Sequence, residues 1–355
     1  HGAAPYRQVL PHGFTVDGEG RKMSKSVGNV VAPQKVMNSL GADILRLWVA
    51  SADYRQEMSV SDEILKRVAD GYRRIRNTAR FLLGNLDGFD PAQAVAAADM
   101  LPLDRWAVDR AHQLQEEITA AYGQYEFLQV YQKIHHFCAF DMGAFYLDII
   151  KDRLYTTGRD SKARRSAQTA MHHVSEALVR WIAPILSFTA EEIWQLRDSD
   201  LESVFMATWY DGLSEMPDKQ ERQRWRRLME ARDVVSKAVE TLRNTGAVGS
   251  ALASEVAVFA DGELYEALAW AGDELRFLLI TSDARLSKFD DAPAGLQATA
   301  LESGKIAVVV SASEHNKCVR CWHQREDVGQ SKAHPELCGR CISNVEGPGE
   351  TRTIG

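Results

Sequence analysis

Phe14-Thr15-Val16-Asp17-Gly18-Glu19-Gly20-Arg21-Lys22-Met23-Ser24-Lys25-Ser26-Val27-Gly28-Asn29 is the stretch on which both fold and function turn. Its first half runs through apolar Phe14 and Val16 into two glycines, which predicts a short strand entering a Gly-rich hairpin. Its second half, Lys22 to Asn29, is a loop of Ser, Gly and Lys. Two lysines three apart on such a loop can set two ammonium groups on adjacent phosphates. There they would stabilise charge growing on a leaving pyrophosphate, with no covalent chemistry by the protein. Most Lys-rich segments are solvated loops and nothing more. The run Lys-Met-Ser-Lys-Ser, however, arises by chance in roughly one sequence of this length in ten thousand, which favours the phosphate reading.

Outward from this loop the period becomes helical. Pro33 stands where a first helical turn begins, and Gly41 to Val49 reads as a short apolar helix. Ser61 is an N-cap followed by Ile64, Leu65, Val68, Tyr72, Ile75, Ala79 and Leu82 at spacings of three and four. A loop with a small Ala run spans Asn85 to Pro102. Helices are expected at about 103–123, 125–155, 161–183 and 189–196, with Gly158 and Pro184 marking two ends. Short links between long helices predict an antiparallel bundle. A charged helix follows at 219–244, with Trp225, Leu228, Val234, Val235, Ala238 and Leu242 on one face. Strands at 256–260, 277–280 and 306–310, with a helix near 262–271, then predict a small α+β unit. The fold class is therefore multidomain and mainly α. The expected domains are 1–55 with the lysine loop and short helices, 56–215 as the helical bundle, 216–312 as an α+β junction, and 313–355 as a cysteine module.

Composition excludes several classes. The chain has 355 residues, 45% hydrophobic and 26% charged, enough apolar side chains for more than one core. A net charge of −7 rules out a basic field over the whole molecule, so nucleic acid must be met by local patches. No uninterrupted apolar run is long enough to predict a membrane span. The start, His1-Gly2-Ala3-Ala4-Pro5, carries no basic and apolar leader, and it reads as the cut edge of something longer.

Four of the five cysteines form Cys318-x-x-Cys321 and Cys338-x-x-Cys341, sixteen residues apart. A chain of this size has no need of disulfide staples, and paired Cys-x-x-Cys turns fit one tetrahedral Zn²⁺, closed to water and hence structural. A reducing, cytoplasmic setting follows as the expectation. His315, His323 and His334 are rival ligands by proximity; four thiolates already fill the site, so each is expected at the surface. Trp322 is either a base-stacking platform or a cover for the metal core. Cys138 and the pairs His135-His136 and His172-His173 lie in helical stretches and are expected to pack or face solvent without chemistry.

The segment from His12-Gly13-Phe14 through Lys22-Met23-Ser24-Lys25-Ser26-Val27-Gly28-Asn29 resembles the second signature of the class I aminoacyl-tRNA synthetases. Ile44 to Ser51, Tyr72 to Asn85, and the ending Cys318-Val319-Arg320-Cys321-Trp322 with Cys338-Gly339-Arg340-Cys341 are similar to the bacterial isoleucyl branch of that family. The resemblance covers nearly the whole chain and is least specific between Lys219 and Asn316. The family's first signature, His-Ile-Gly-His, is absent from this sequence. The resemblance therefore implies a C-terminal portion, without the nucleotide-binding sheet or the editing domain. It also implies a parent reaction that joins isoleucine to ATP, with Mg²⁺, and passes the acyl group to isoleucine tRNA. By the same resemblance Lys25 contacts ATP, Lys22 supports it, and the pair is the catalytic contribution of this chain. Ser24 and Ser26 either donate to phosphate oxygens or hold the loop, while Gly28 and Asn29 shape the turn. The whole is expected to be a monomer without membrane attachment.

Local charge suggests where RNA is met. Residues 61–80 hold six cations against three anions, and 151–180 hold seven against three. Such excess can follow a phosphate backbone, although ordinary solvated helix faces look the same. The family places the anticodon stem on this bundle, which makes Arg73, Arg74, Arg76, Arg164, Arg165, Arg320 and Trp322 the candidate tRNA contacts. The rival readings are a valyl or leucyl enzyme of the same subclass, a freestanding zinc-dependent RNA-binding module, and a structural scaffold. The terminal cysteine pairs and the Tyr72–Asn85 helix argue against the first. The lysine loop, useless without an ATP site, argues against the second, and tRNA affinity would separate the third.

Overall fold

Helices begin where the sequence supplies a cap or a proline. The computed structural model describes Gly2, residues 4–197 and residues 199–355. It contains α1 (Pro33–Leu40), with Pro33 at its first position, and α2 (Ala42–Ser51). The long α3 (Asp62–Asn85) starts at Ser61, whose hydroxyl accepts from the Ile64 amide, as the capping pattern requires. Then come α4 (Pro102–Gly123), α5 (Phe127–His136), a π-helical segment (Phe137–Tyr146), α6 (Leu147–Thr156), α7 (Lys162–Ile182), α8 (Ser187–Gln195) and α9 (Lys219–Asn244). Mainly helical structure with small sheets is thus as the periodicity predicts.

The chain forms two compact units, each discontinuous in sequence. One comprises the chain up to Asp87, Arg110–Ala144 and His172–Leu213. Its core holds Leu47, Ile75, Leu82, Leu114, Ile118, Phe137, Met142 and Trp181, all under 3% exposed. Phe137 meets Trp181 edge to face, at 5.5 Å between centroids. Buried Asp43 on α2 supplies what α8 lacks, a side-chain acceptor for its first amides. It takes the Thr189 amide at 2.7 Å and hydroxyl at 2.5 Å, and the Phe188 amide at 3.3 Å. The same unit holds a two-stranded sheet of β1 (Thr15–Asp17) and β2 (Met58–Val60).

Those strands correct one expectation. The glycine turn after β1 does bring Lys22 back opposite Val16, but only as a single antiparallel bridge, and no hairpin strand follows. The partner of β1 is β2, paired in parallel from Thr15↔Met58 to Asp17↔Val60. The reason is that Lys22 onward turns on its own side chains, as described below, and leaves no extended residues to pair.

The second unit comprises Gly88–Asp109, Phe145–Met171 and Ser214–Gly355. Its sheet has the order β4-β3-β6-β5, built from β3 (Ser254–Ala260), β4 (Asp283–Lys288), β5 (Ala298–Leu301) and β6 (Gly304–Ala312). β3 pairs in parallel with β4 and antiparallel with β6, and its residues alternate buried and half-buried. Helices α9, α10 (Gly262–Ala269) and α11 (Leu275–Leu279) pack nearby, with Trp225 of α9 wholly buried beside Trp106, Phe145 and Trp270. The run 277–280 is thus not a strand: Phe277 to Leu279 close a short helix, and Ile280 ends it at φ 56°. Four apolar residues carry no period, and Leu275, Leu278 and Leu279 at helical spacing decide it. β4 and β5 escaped the sequence reading because β4 is polar and half-exposed, and β5 is only four residues long and exposed. No helix among the described residues is long and apolar enough to cross a membrane.

Candidate functional site

The lysine loop is shaped by side chains that belong to its own ends. Gly28 adopts φ +75°, which favours glycine, and its amide bonds the Ser24 carbonyl at 3.1 Å. The Ser24 hydroxyl accepts the Val27 amide at 3.3 Å and meets the Ser26 hydroxyl at 3.1 Å. Asn29 spans the loop: its Oδ1 accepts the Ser24 amide at 2.9 Å, and its Nδ2 donates to the Lys22 carbonyl at 3.2 Å and to Asp17 Oδ2 at 2.9 Å. The reading of Asn29 and Gly28 as turn residues agrees with this geometry. Lys22 and Lys25 are exposed, and neither ammonium group makes a hydrogen bond or ion pair among the described residues. Two ammonium groups therefore stand on a fixed backbone, available to an anion.

Asp17 is what sequence reasoning missed. It is buried, yet it gathers the Glu19 and Arg21 amides, Arg21 Nε and Asn29. The Asn29 amide first, then the Arg21 amide and the other donors, hold its carboxyl well below the usual carboxylate range. An Asp-Gly pair ahead of a second glycine is an available signal for such an Asx-type turn.

The second candidate lies in the last forty or so residues. Cys318, Cys321, Cys338 and Cys341 are all buried, and their four sulfurs lie within 4.8 Å of one another. Cys321 Sγ and Cys338 Sγ are 3.7 Å apart, close to the ~3.8 Å edge of a tetrahedron with Zn–S bonds of about 2.3 Å. Each Cys-x-x-Cys is a turn closed on itself: the Trp322 amide bonds the Cys318 carbonyl, and the Ile342 amide the Cys338 carbonyl. Cys338 precedes α12 (Gly339–Glu346), whose first amide donates to Asp327 at 2.7 Å. The apolar cover is thin, Val328 and Leu337 only, so the donor set fits a metal better than a hydrophobic core.

The neighbouring histidines divide. His315 and His334 are partly exposed and lie near Glu255 and Glu346. His323 departs from expectation, being 2% exposed, edge-on to Phe277, with Nε2 lacking a partner among the described residues. Its position after Cys321-Trp322 turns it inward, because Trp322 itself takes φ 66° and projects outward, 61% exposed with Lys317 Nζ 5.0 Å from its ring. Trp322 therefore does not cover the cysteines. Cys138 is core, its thiol pushed up to about 12 by burial and so inert.

The candidate arginines are divided between the two units. In the first unit Arg74 is exposed, Arg73 pairs with Asp70, and Arg76 makes a fork with Glu192 at 2.6 and 2.8 Å. In the second, Arg164 donates to the Leu154 carbonyl, Arg165 to Gly88 and Asp160, and Arg320 to the Thr156 carbonyl.

Comparison with known proteins follows the same three regions. The family model "tRNA synthetases class I (I, L, M and V)" matches residues 1–61, "Anticodon-binding domain of tRNA ligase" matches 104–258, and "Zinc finger found in FPG and IleRS" matches 316–344. Loop, helices and cysteines thus define a class I tRNA synthetase sequence. The isoleucine–tRNA ligase of Halorhodospira halophila is 59% identical over 99% of this chain and 38% of its own length, and that of Nitrosococcus oceani is 59% identical over the same shares. The chain belongs to the isoleucine–tRNA ligase family, and it spans about 38% of the length of these relatives. A solved Mycobacterium tuberculosis methionyl-tRNA synthetase in complex with methionyl-adenylate is similar at TM-score 0.46 and 23% identity, over 59% of this chain and 42% of that one.

Proposed function

We propose that this chain is the part of an isoleucine–tRNA ligase that supplies the pyrophosphate-side lysines and the grip on the tRNA anticodon arm. The 59% identity extends over 99% of the chain, and this single observation carries the reading over a valyl or leucyl enzyme or a freestanding zinc module. In the parent enzyme isoleucine reacts with ATP and Mg²⁺, and the acyl group then passes to isoleucine tRNA. Lys25 contacts the phosphates as charge builds on the leaving group, with Lys22 beside it. Both ammonium groups are free to do so, which supports these roles. Zinc, one ion held by Cys318, Cys321, Cys338 and Cys341, orders the terminal module and takes no part in the reaction.

The division into a catalytic-domain end (1–55), an antiparallel anticodon-binding bundle (56–215), an α+β junction (216–312) and a zinc module (313–355) belongs to the same proposal, as does a monomeric, cytoplasmic protein. For tRNA, exposed Arg74 and Trp322 are the stronger contacts. Arg73 follows, and Arg76, Arg164, Arg165 and Arg320 already hold protein groups that RNA would have to displace.

The test is isoleucine-dependent exchange of pyrophosphate into ATP. A full-length ligase carrying this sequence should lose about a hundredfold in rate with Lys25→Ala, at nearly unchanged isoleucine KM, the typical loss for one preorganised charge contact. The chain alone should give background exchange, because positioning needs both halves of the site. An unchanged Lys25→Ala rate, or clear exchange by the chain alone, would refute the reading.

A further inference from the structure

The lysines do not position themselves. The bonds that set the path of Lys22–Asn29 are made by the backbone, by Ser24 and by Asn29, which is held in turn by Asp17, with the Met23 sulfur accepting the Val31 amide at 3.5 Å. One Asn side chain pins two points of the loop, the carbonyl of Lys22 and the amide of Ser24, the residue immediately before Lys25. That Asn is itself anchored on a buried carboxylate at the end of β1, whose other oxygen is occupied by the Glu19 and Arg21 amides. Removing the Asn amide frees three contacts at once and leaves the backbone of both lysines untied at its far end.

We propose that Asp17 and Asn29 are positioning residues for the phosphate-facing lysines: the buried carboxylate orients the Asn29 amide, and the amide fixes the spacing at which Lys22 and Lys25 meet adjacent phosphates. The inference rests on the pyrophosphate reading of the loop. Its chemistry is preorganisation. Two cations on a slack loop would have to be gathered during the reaction, whereas on a tied loop their placement is complete before charge develops. Neither Asp17 nor Asn29 touches substrate in this scheme. Asp17 remains ionised throughout the working pH range, since its four donors favour the charged form.

The test compares Lys25→Ala, Asn29→Ala, Asp17→Asn and the swapped pair Asp17→Asn with Asn29→Asp in the full-length ligase. Asn29→Ala should lower kcat for pyrophosphate exchange about tenfold to a hundredfold, the scale of a small misplacement. Isoleucine KM should stay within about twofold, and thermal stability should be unchanged. Hydrogen exchange in the peptide spanning 22–29 should quicken while other peptides keep their rates. Asp17→Asn sets an amide against the Asn29 amide and should behave alike. The swapped pair restores a donor facing an acceptor and should recover part of the lost kcat, which a merely structural role would not produce. The inference is overturned if Asn29→Ala keeps kcat within twofold while Lys25→Ala is crippled, or if the swap recovers nothing. If Lys25→Ala is itself silent, the pyrophosphate reading falls, and the positioning role falls with it.

Discussion

Asp152→Ala should loosen the cysteine module from the helix that carries it, and the cost can be worked from the contacts. Asp152 lies on α6 with 14% of its side chain exposed. It receives Arg340 at 2.6 and 2.8 Å in a two-pronged pair, and Arg352 at 2.6 Å. Arg340 sits between Cys338 and Cys341, and Arg352 in the last residues of the chain; both guanidinium groups lie over the Phe277 ring. Burial alone would push the Asp152 carboxyl up, but the hydrogen bonds and charge of Arg340, with the charge of Arg352, outweigh it and hold the pKa below the ordinary value. Removing one member of a buried ion cluster costs about 3–5 kcal/mol. Glu350 still receives Arg340 at 3.0 Å and Arg352 at 2.7 Å in the variant, which places the expected loss near the lower end, about 3 kcal/mol. In a unit of this size, that lowers the thermal midpoint by roughly 6–12 °C. Asp152→Asn, which keeps one acceptor oxygen, should lose about half as much. The sign with pH follows from the depressed folded-state pKa. The contribution is full above the unfolded value near 4 and fades as pH falls through the folded one, so wild type and variant converge in acid. Circular dichroism melts at pH 7 and pH 3, with chelator-driven metal release at pH 7, make the measurement. A midpoint within about 2 °C of wild type at pH 7 would refute the reasoning, as would a difference that persists unchanged at pH 3.

Three further outcomes are expected. Metal analysis of the chain purified without added zinc should give close to one equivalent, and Cys338→Ser with Cys341→Ser should abolish it; retention of metal by the double variant would reassign the ligands. Asp43→Ala should cost about 2 kcal/mol in a denaturant titration, since three donors around the start of α8 lose their acceptor at once. Binding of isoleucine tRNA should weaken steeply as salt rises, and Arg74→Ala should reduce the slope of log K against log salt by about one, which filter binding over a salt series would read.

The legible parts of the fold are those in which one local pattern is sufficient. Ser61 as a cap, Pro33 as a first helical residue and the 219–244 helix are read from neighbours in sequence and agree with the structure. The cysteine cluster is legible for the same reason, because two identical turns carry all four sulfurs. What escaped depends on partners far along the chain. β1 pairs with β2 some forty residues on, and β4 is a half-exposed strand whose ladder partner is β3, before α10 and α11 in the chain. His323 was expected at the surface and is buried, because its orientation is set by the left-handed turn at Trp322 and by Phe277. Counting charge over a window failed in a related way. Of the cations in 151–180, Arg153 is wholly buried with Asp104, while Arg164 and Arg165 hold carbonyls and Asp160. Their local excess is therefore partly neutralised inside the protein and is not all available to RNA.

The two candidate sites share a physical problem, and they solve it alike. Neither the lysine loop nor the cysteine module has enough apolar burial to hold its own backbone: the loop is exposed, and the module's buried aliphatic side chains are Val328 and Ile354, with Leu337 half-buried. Ordering a residue costs roughly 1–2 kcal/mol of backbone entropy, so the residues of 313–355 demand far more than these few apolar side chains return. Each segment is instead tied to a partly or fully buried carboxylate that collects several donors, Asp17 for the loop and Asp152 for the module. For the module the carboxylate is the smaller contribution, about 3 kcal/mol, against about 10–16 kcal/mol for a structural zinc. Zinc should therefore decide whether the module is folded, and Asp152 should decide only where the folded module is held. Chelation is then expected to disorder 313–355 in wild type and in Asp152→Ala alike. With zinc present, Asp152→Ala should leave the metal bound and the cysteine turns protected from hydrogen exchange, while protection is lost at Arg352 to Gly355, where the tail depends on its contacts with the rest of the unit. Loss of protection at the cysteine turns themselves would show that the two roles are not separable.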